Sequence, residues 1–448
     1  MAALATIDSS CQERMRSIKI TPDVLVPRLL ASSLETGLCI LDSCGTQHVG
    51  SHRLIAGINP CETVEFSSPE LAEVLGLIDE MTAGTKAAIF TLSYDFGRKL
   101  QRIDDSASSL DPVEPDFFVS TFDALLVHDY STRETFIAGN TQQFDSIREL
   151  ISGNDNELSE HEEVINGPTS NFTKSEYLDA IETIKEHIRR GNTYQTNLTQ
   201  QLTICLPENF SAGTYFQRIR REQPAPFAAF LERRNSTVIS ASPERFFRVE
   251  GSRIFASPIK GTRPRGHNQA QDDRLRKELL QSEKDRAENT IIVDLLRNDL
   301  GRVCEFGSVE VRELCALQEL PTLFHLVSTI EGRLKPQTKL SQIIEALFPC
   351  GSITGAPKIR TMQIIYELEN VSRGLSMGAI GFYIPEGFGL QPTIDLNVAI
   401  RTMVIRNGTA TFNVGGGIVI DSDPEKEYEE SLLKARALLY SLGVTAIK

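Results

Sequence analysis

The segment STVISASPERFFRVEGSRIFASPIKGT, residues 236–262, indicates the fold most directly. Two runs rich in β-branched and aromatic residues, at 236–249 and 253–260, are typical of β-strands. The Glu-Gly-Ser sequence at 250–252 separates them, and glycine favours the backbone of a tight turn. The segment therefore predicts a β-hairpin.

An acid and an amine are predicted to lie near each other on this hairpin. A three-residue turn places Glu244 opposite Pro258 and leaves Lys260 on the same face, diagonally across at a Cβ distance of about 7–8 Å. A change of register by one residue would put the two side chains on opposite faces. An exposed Glu–Lys ion pair, which stabilises a protein little, is the alternative interpretation.

The segments on both sides of the hairpin predict an α+β fold. Strand-like blocks are separated by long amphipathic segments without regular βαβ order, which disfavours a doubly wound sheet. The clearest helix runs from Thr173 to Arg190 and opens on a capping box, Thr-Lys-Ser-Glu. The other predicted strands are 194–205, 226–232, 378–384, 394–406 and 409–420, and the other predicted helices are 272–300 and 424–442.

Two parts are predicted along the chain. Residues 24–150 alternate short apolar runs with Gly, Pro and Asp, which predicts a β-rich region. Residues 151–171 are polar and acidic without periodicity, as in a linker. We therefore predict an N-terminal accessory domain with its linker at 1–165 and a larger domain at 166–448.

The composition disfavours several classes of protein. The 448 residues have a formal net charge of -14 and no stripe of Lys and Arg, so no nucleic-acid partner is expected. We find no signal peptide and no run of about 20 apolar residues, so we expect a cytoplasmic protein without a membrane partner. The 8 cysteines lack metal-ligand spacing, which predicts free thiols.

Acidic side chains follow helical spacing in two of the predicted helices. Asp285 and Glu288 are three residues apart, and Glu427, Glu430 and Lys434 fall at i, i+3 and i+7. Mg2+ takes one or two protein carboxylates and completes its shell with substrate oxygens and water, so these helices could hold it. Two solvated helix faces, with Glu430 and Lys434 as an intrahelical ion pair, are the alternative.

Two glycine-containing segments, GSITGAPK at 351–358 and VGGGI at 414–418, could bring backbone N–H groups close to an anion. Neither segment matches the P-loop or the GxGxxG pattern, which disfavours an ATP- or NAD-dependent enzyme. A tight turn or a bulge is the alternative for each. His325 lies in an apolar run, where a histidine is usually a core residue.

Taken in order, these segments resemble the chorismate-utilising enzymes from about Thr173 to Leu442. The resemblance implies two packed antiparallel sheets with helices outside, which form an intertwined chorismate-binding catalytic domain with the active site between the sheets. The motifs that carry it are SPERF at 242–246, PIKGTRPRG at 258–266, DLLRNDLGRV at 294–303, GSITGAPKIRTM at 351–362, AIRT at 399–402 and GGGIVIDSDPEKEYEESLLKA at 415–435.

The N-terminal part is similar to the accessory domain of the same family. The similar segments are ILDSCG at 40–45, SYDFGRKL at 93–100 and FDALLVHDY at 122–130. The resemblance implies a tryptophan pocket around Ser43. We expect at most modest inhibition of the enzyme by tryptophan, to be measured in a steady-state assay, and strong inhibition at micromolar concentrations would contradict this.

The resemblance also implies roles for single residues. Glu288 and Glu430 would bind Mg2+, which holds the ring carboxylate of chorismate, and Arg401 would bind the enolpyruvyl carboxylate. Glu244 would act as acid and base on the ring hydroxyl, and Lys260 as a covalent nucleophile. The other implied substrate contacts are Gly415, Gly416, Gly417 and Lys434 at the carboxylates, His325 and Ser352 at the ring, and Gln195.

Two positions distinguish the branches of the family. Isochorismate and salicylate synthases resemble this chain but carry a general-base Lys in place of Gln195. Anthranilate synthases have Ala in place of Lys260, whereas PIKGT resembles the aminodeoxychorismate synthases. Phe382 departs from the Tyr that is usual in the family, which puts one hydroxyl contact to the substrate in doubt.

The implied reaction is the amination of chorismate at C4, a transferase step toward p-aminobenzoate and folate. Its product is 4-amino-4-deoxychorismate. The chain shows no glutaminase signature, so the implied source of ammonia is a separate glutamine amidotransferase subunit. The alternatives are anthranilate synthase component I and an inactive regulatory subunit that binds chorismate.

Overall fold

A computed structural model describes residues 14–32, 37–46, 52–103, 114–153, 165–319 and 323–444. Residues 154–164 of the predicted linker lie outside the described residues. Within the described ranges, no helix combines the length and the apolar character needed to cross a membrane.

Strands and helices both occur on each side of the linker. The strands of the described residues are β1 (Met15–Ile18), β2 (Cys39–Asp42), β3 (Arg53–Gly57), β4 (Glu62–Phe66), β5 (Ala87–Leu92), β6 (Phe117–Phe122), β7 (Ala124–Asp129), β8 (Glu134–Gly139), β9 (Thr169–Ser170), β10 (Gln195–Cys205), β11 (Phe227–Glu232), β12 (Thr237–Ser242), β13 (Arg245–Glu250), β14 (Arg253–Ser257), β15 (Ile259–Pro264), β16 (Glu310–Glu319), β17 (Leu323–Arg333), β18 (Gly355–Ala356), β19 (Ala379–Ile384), β20 (Thr393–Val398), β21 (Thr402–Arg406) and β22 (Thr409–Ile418). The α-helices of the same residues are α1 (Pro22–Ala31), α2 (Leu71–Ala83), α3 (Tyr94–Leu100), α4 (Phe144–Ile151), α5 (Lys174–Arg189), α6 (Ala212–Glu222), α7 (Gln269–Gln281), α8 (Glu283–Val303), α9 (Leu340–Leu347), α10 (Lys358–Leu368) and α11 (Pro424–Ser441).

These strands form two antiparallel sheets. Over the described residues, the larger sheet has 12 strands in the order β1-β8-β7-β3-β2-β11-β12-β21-β22-β10-β18, with β9 also paired to β10. The smaller sheet has 10 strands in the order β15-β17-β14-β13-β20-β19-β5-β6-β4, with β16 also paired to β17. Each sheet thus buries one face against the other sheet and one face against helices.

Apolar side chains fill the space between the two sheets and the space under the helices. Between the sheets, Ile89 and Phe118 of the smaller sheet share a cluster with Leu231 and Val238 of the larger sheet. Helices α1, α6 and α11 cover the outer face of the larger sheet. Helices α2, α8 and α9 cover the outer face of the smaller sheet. This architecture confirms the predicted α+β class with two packed antiparallel sheets and helices outside.

Both sheets continue across the predicted domain boundary. In the larger sheet, Ile40 of β2 pairs with Phe230 of β11. In the smaller sheet, Phe90 of β5 pairs with Gly381 of β19. The division of the chain after residue 165 stays a prediction, and each half contributes strands to both sheets.

Two predicted strands, 236–249 and 394–406, each divide between the sheets. The first becomes β12 in the larger sheet and β13 in the smaller sheet, with Pro243 and Glu244 at the crossing. The second becomes β20 in the smaller sheet and β21 in the larger sheet, with residues 399–401 at the crossing. The apolar pattern does not reveal these crossings, because both halves of each strand are buried.

The hairpin of β13 and β14 reaches the predicted register by a different route. Its turn has two residues rather than three, since Glu250 pairs with Arg253. A β-bulge between Arg245 and Arg248 then shifts the register by one residue, and Arg245 pairs with Ser257. The expected turn length was wrong, but the bulge compensates for it at the end of the hairpin next to Glu244.

The predicted helices differ from the structure mainly at one break. Helix α5 begins after Thr173 with the expected capping box. The predicted helix 272–300 is two helices, because the Ser282 side chain accepts a hydrogen bond from the Asp285 N–H and caps the second of them. This cap sets the start of α8, the helix that contains Asp285 and Glu288.

Candidate active site

Glu244 and Arg401 lie at the two points where the chain crosses between the sheets. The crossings are neighbours, because the Val398 N–H donates to the Glu244 carbonyl at 3.0 Å and the Ala241 N–H donates to the Arg401 carbonyl at 3.0 Å. Arg401 has a φ of 50°, in the left-handed region, where it ends one strand before the next begins. The fold thus brings an acid and a cation together from distant parts of the sequence.

Glu244 is a buried carboxyl group with unused hydrogen-bonding capacity. Only 5% of the residue is exposed, and its Oε1 has no hydrogen-bond partner among the described residues. Burial raises the pKa of Glu244 to about 7, although the Lys260 ammonium and hydrogen bonds from Ser352 and the Ile259 backbone oppose the rise. The group can therefore give or take a proton near neutral pH.

Lys260 lies close enough to Glu244 for its charge to act on the carboxyl group. It belongs to β15, which pairs with β17 and has a β-bulge at Gly261, where φ is 80°. The Lys260 Nζ donates a hydrogen bond to the Ser352 carbonyl at 3.4 Å, and the same ammonium lowers the pKa of Glu244. The half-buried amine therefore lies within electrostatic reach of the buried acid.

Replacing Glu244 with Gln is expected to change how stability and activity depend on pH. Burial raises the pKa of Glu244 from about 4.5 in the unfolded chain to about 7 in the folded protein. The free energy of unfolding therefore decreases as the pH rises between these two values, by on the order of 3 kcal/mol in total. Melting curves should therefore show that the melting temperature of the variant, relative to that of wild type, is higher at pH 8 than at pH 5. The wild-type kcat/KM should fall above about pH 7 as the acid form is lost, and a variant with the same basic limb would contradict this assignment.

His325 and Arg401 form the polar lining near β17. The His325 Nδ1 is hydrogen-bonded to the Thr262 hydroxyl at 2.9 Å, and its Nε2 has no partner among the described residues. Burial, together with the charge of Arg401, lowers the pKa of His325 to about 4, so the ring is neutral at neutral pH. The prediction that His325 is an ordinary core residue was incomplete, because the buried Nε2 still needs a polar partner.

Arg401 is an anion-binding candidate because no carboxylate within the described ranges compensates its charge. Burial lowers the pKa of its guanidinium, and no carboxylate of the described residues opposes this effect. A guanidinium in this state binds a carboxylate well, since it offers two parallel N–H donors.

The three glycines of β22 pair with β10, and side chains or backbone approach each of them closely. A Cβ atom on Gly415 would lie 1.9 Å from the Leu198 carbonyl oxygen, and one on Gly417 would lie 2.2 Å from the Gln195 Nε2. Gly416 faces helix α11, where the Lys434 Nζ would be 3.5 Å from an added Cβ. This glycine strand therefore lets Gln195 and Lys434 approach the backbone closely.

Gln195 and Lys434 flank the glycine strand on opposite sides. Gln195 is buried, and its Oε1 has no hydrogen-bond partner among the described residues. The Lys434 Nζ donates to the Gly415 carbonyl at 2.9 Å and forms a 2.8 Å ion pair with Glu430. Both side chains thus leave polar atoms available to a ligand at this end of the site.

Glu288 on α8 and Glu430 on α11 bring carboxylates to the site from two helices. Burial raises the pKa of Glu288 against the opposing charges of Lys260 and Lys284. Burial also tends to raise the pKa of Glu430, but the Lys434 ammonium outweighs it and holds the pKa below its usual value. The Lys260 ammonium opposes the rise in the pKa of Glu288 and helps to lower the pKa of Glu430.

These two carboxylates suit a magnesium ion that is shared with a substrate. Within the described ranges, no group of three or more His, Cys, Asp and Glu side chains forms a metal site of its own. Mg2+ commonly takes only one or two protein carboxylates, so Glu288 and Glu430 match this donor set. Asp285 does not join them, because it forms a 3.2 Å ion pair with Arg263.

Ser352 is positioned by a loop that buried ion pairs hold in place. The Lys358 Nζ donates to Asp299 of α8 and to the Leu347 carbonyl, both at 2.7 Å. Arg373, also buried, donates to the Ile353 carbonyl at 3.0 Å. These contacts tie the loop to α8, the helix that carries Glu288.

Two further charged residues were not among the predicted site residues. Glu427 is buried beside Gly416, and Lys284 forms a 3.3 Å ion pair with it. The signal for Glu427 was its spacing of three residues from Glu430. Lys284 had no such signal, because it lies near the start of α8 and its partner comes from α11.

Ser43 and Phe382 line a cavity whose lining does not include Lys260. This cavity of about 60 Å³ is also lined by Asp42, Arg248 and Asp395, and the Ser43 hydroxyl has no partner among the described residues. The segment around Ser43 thus faces a polar cavity, and tryptophan binding there stays a prediction. Phe382 lines the same cavity, and the Tyr383 hydroxyl donates to the Thr82 carbonyl at 2.8 Å.

The fold brings an acid, an amine and further cations together where the chain crosses between two packed sheets, as in an enzyme core. The chain belongs to the chorismate-binding enzymes, because the family model described as chorismate binding enzyme matches residues 39–440. No single reaction follows from this membership.

Relatives with two different names resemble the chain over similar lengths. Anthranilate synthase component 1 1 of Haloarcula marismortui is 38% identical over 373 residues, which cover 79% of this chain and 75% of that protein. Aminodeoxychorismate synthase component 1 of Bacillus subtilis is 36% identical over 373 residues, which cover 80% and 77%. The crystal structure of anthranilate synthase component I from Streptococcus pneumoniae superposes with a TM-score of 0.73 at 25% identity and covers 88% of this chain and 93% of that chain.

Proposed function

We propose that the chain aminates chorismate at C4 and produces 4-amino-4-deoxychorismate. The observation that carries this proposal is the amine of Lys260 beside the buried acid Glu244, whose pKa is about 7. An amine that only binds an anion would not need a buried proton donor next to it. The pair therefore supports nucleophilic catalysis with acid assistance.

The substrate's two carboxylates would be held at opposite ends of the site. Arg401 would bind the enolpyruvyl carboxylate through its free guanidinium. Lys434 and the backbone of Gly415–Gly417 would hold the ring carboxylate, and Glu288 and Glu430 would hold the Mg2+ that binds it. When bound, Mg2+ would supply positive charge that draws electrons toward the ring carboxylate.

The attack of Lys260 on C2 would expel the C4 hydroxyl and leave C4 open to ammonia. As its neutral amine forms a bond to C2, the two ring double bonds shift, the C4–O bond breaks, and the hydroxyl leaves as water with the proton of Glu244. Ammonia next forms a bond to C4, the double bonds return, and the C2–N bond to Lys260 breaks. One proton from the added ammonia restores Glu244, so the enzyme ends the cycle unchanged.

His325 and Ser352 would orient the ring, and Gln195 would not activate water. The Gln195 amide has no basic nitrogen, which disfavours addition of water at C2. We infer a cytoplasmic protein that receives ammonia from a separate glutamine amidotransferase subunit. This inference rests on the proposed reaction, which consumes free ammonia.

The second candidate is amination at C2 with release of pyruvate, as the name of the Haloarcula relative suggests. One assay separates the two: the chain is incubated with chorismate, an ammonium salt and Mg2+, and the products are identified by liquid chromatography and mass spectrometry. The proposal requires 4-amino-4-deoxychorismate without pyruvate. Anthranilate with an equal amount of pyruvate would reject it and support the second candidate.

A further inference from the structure

A lysine lies among the carboxylates of α8 and α11. The Lys284 Nζ is 3.3 Å from Glu427 and 3.9 Å from Glu288. The third carboxylate of this group, Glu430, follows Glu427 by three residues on α11 and so lies on the same face of that helix. Lys284 therefore acts as a counter-ion to side chains from both helices.

The buried carboxylate of Glu427 requires a cation such as Lys284 beside it. The Glu427 side chain is only 6% exposed, and its Oε1 accepts hydrogen bonds from the Ser422 hydroxyl at 2.7 Å and from Lys284. A buried carboxylate without a cation is costly. The other nearby ammonium groups are engaged, because Lys434 pairs with Glu430 and Lys260 bonds the Ser352 carbonyl.

The Lys284 ammonium can move away from the carboxylates without disturbing the core. It is the second residue of α8, and its side chain is 52% exposed. A long flexible side chain at a helix start can turn its ammonium toward solvent at small cost. By contrast, the Glu288 and Glu427 side chains are only 14% and 6% exposed, so these two carboxylates would remain in place. The Glu430 side chain is 50% exposed and is held by its 2.8 Å ion pair with Lys434.

We propose that Lys284 neutralises these carboxylates in the metal-free protein and competes with the divalent cation for them. The inference rests on the proposed Mg2+ site of Glu288 and Glu430. Two cations that share one carboxylate group repel each other, so a bound divalent ion displaces the Lys284 ammonium toward solvent. The cost of this displacement reduces the affinity for the metal in the absence of substrate.

The test measures binding of Mn2+ alone, without chorismate, by electron paramagnetic resonance, together with thermal unfolding. Lys284→Gln is expected to bind Mn2+ about three- to tenfold more tightly than wild type. The variant should also have a lower melting temperature than wild type without metal. Addition of Mn2+ should raise the melting temperature of the variant more than that of wild type. This opposite pair of effects separates competition from a general loss of stability.

Two further variants make the result decisive. Lys426→Gln removes an equal charge one helical turn from Glu430. It should leave the Mn2+ affinity near that of wild type. Equal tightening in Lys426→Gln and Lys284→Gln, or unchanged affinity in Lys284→Gln, would overturn the inference. Equal Mn2+ binding by wild type and Glu430→Gln would instead reject the proposed metal site, and the inference with it.

Discussion

Replacing Lys260 with Ala is expected to lower the rate of C4 amination by at least about a thousandfold, because the variant lacks the proposed nucleophile. The variant should still bind chorismate, since Arg401 and Lys434 remain. It could also release the C2 position to ammonia, and a trace of anthranilate would then be formed. The measurement is a product assay with an ammonium salt, so that no partner subunit limits the rate.

A covalent adduct gives the direct evidence for this role. After mixing with chorismate and Mg2+ but no ammonia, peptide mass spectrometry should find the adduct on the peptide that contains Lys260. Addition of ammonia should remove it. Lys260→Arg is the matched control, because it keeps the positive charge and should show neither adduct nor turnover. Wild-type rates of 4-amino-4-deoxychorismate formation by Lys260→Ala would defeat the covalent mechanism.

Replacing Glu430 with Gln is expected to raise the Mg2+ concentration needed for half-maximal rate by about a hundredfold or more and to lower turnover sharply. The ion would lose one of its two protein carboxylates, and the ring carboxylate would lose part of its counter-charge. Initial rates over a Mg2+ titration at saturating chorismate measure both effects. Glu288→Gln should behave in the same way, since its carboxylate completes the donor set.

Glu429 provides the control for this prediction. It is exposed on α11 directly beside Glu430, and its replacement by Gln changes the same net charge without touching the site. The control should keep the wild-type Mg2+ requirement. Normal activity of Glu430→Gln at low Mg2+ would show that the two-helix metal site is wrong.

The fold class could be predicted because it depends on local patterns. The helical spacing after Thr173 and the alternation around Gly251 each identify one element without knowledge of the rest of the chain. The places where strands change sheets could not be predicted in this way. At Glu244 and at Arg401 the apolar pattern continues, and only the packing of the second sheet determines the break.

The candidate site was predictable where its residues lie in short motifs. The hairpin placed Glu244 near Lys260 only if its turn had three residues, and the roles of both residues came from the family resemblance. The turn has two residues, and a bulge supplies the register. Lys284 and the buried state of Glu427 were not predictable, because their contact joins α8 to α11. An ion pair between two helices more than a hundred residues apart does not show in the sequence periodicity of either helix.

The exchange of strands between the two halves of the chain has a consequence for synthesis on the ribosome. Strands β2 and β5 emerge early, but β11 and β19, their neighbours in the finished sheets, follow much later. Until then their backbone N–H and C=O groups form open edges that can pair with other chains. Newly made chains therefore depend on rapid completion, or on a chaperone that shields these edges, to avoid aggregation before the enzyme exists.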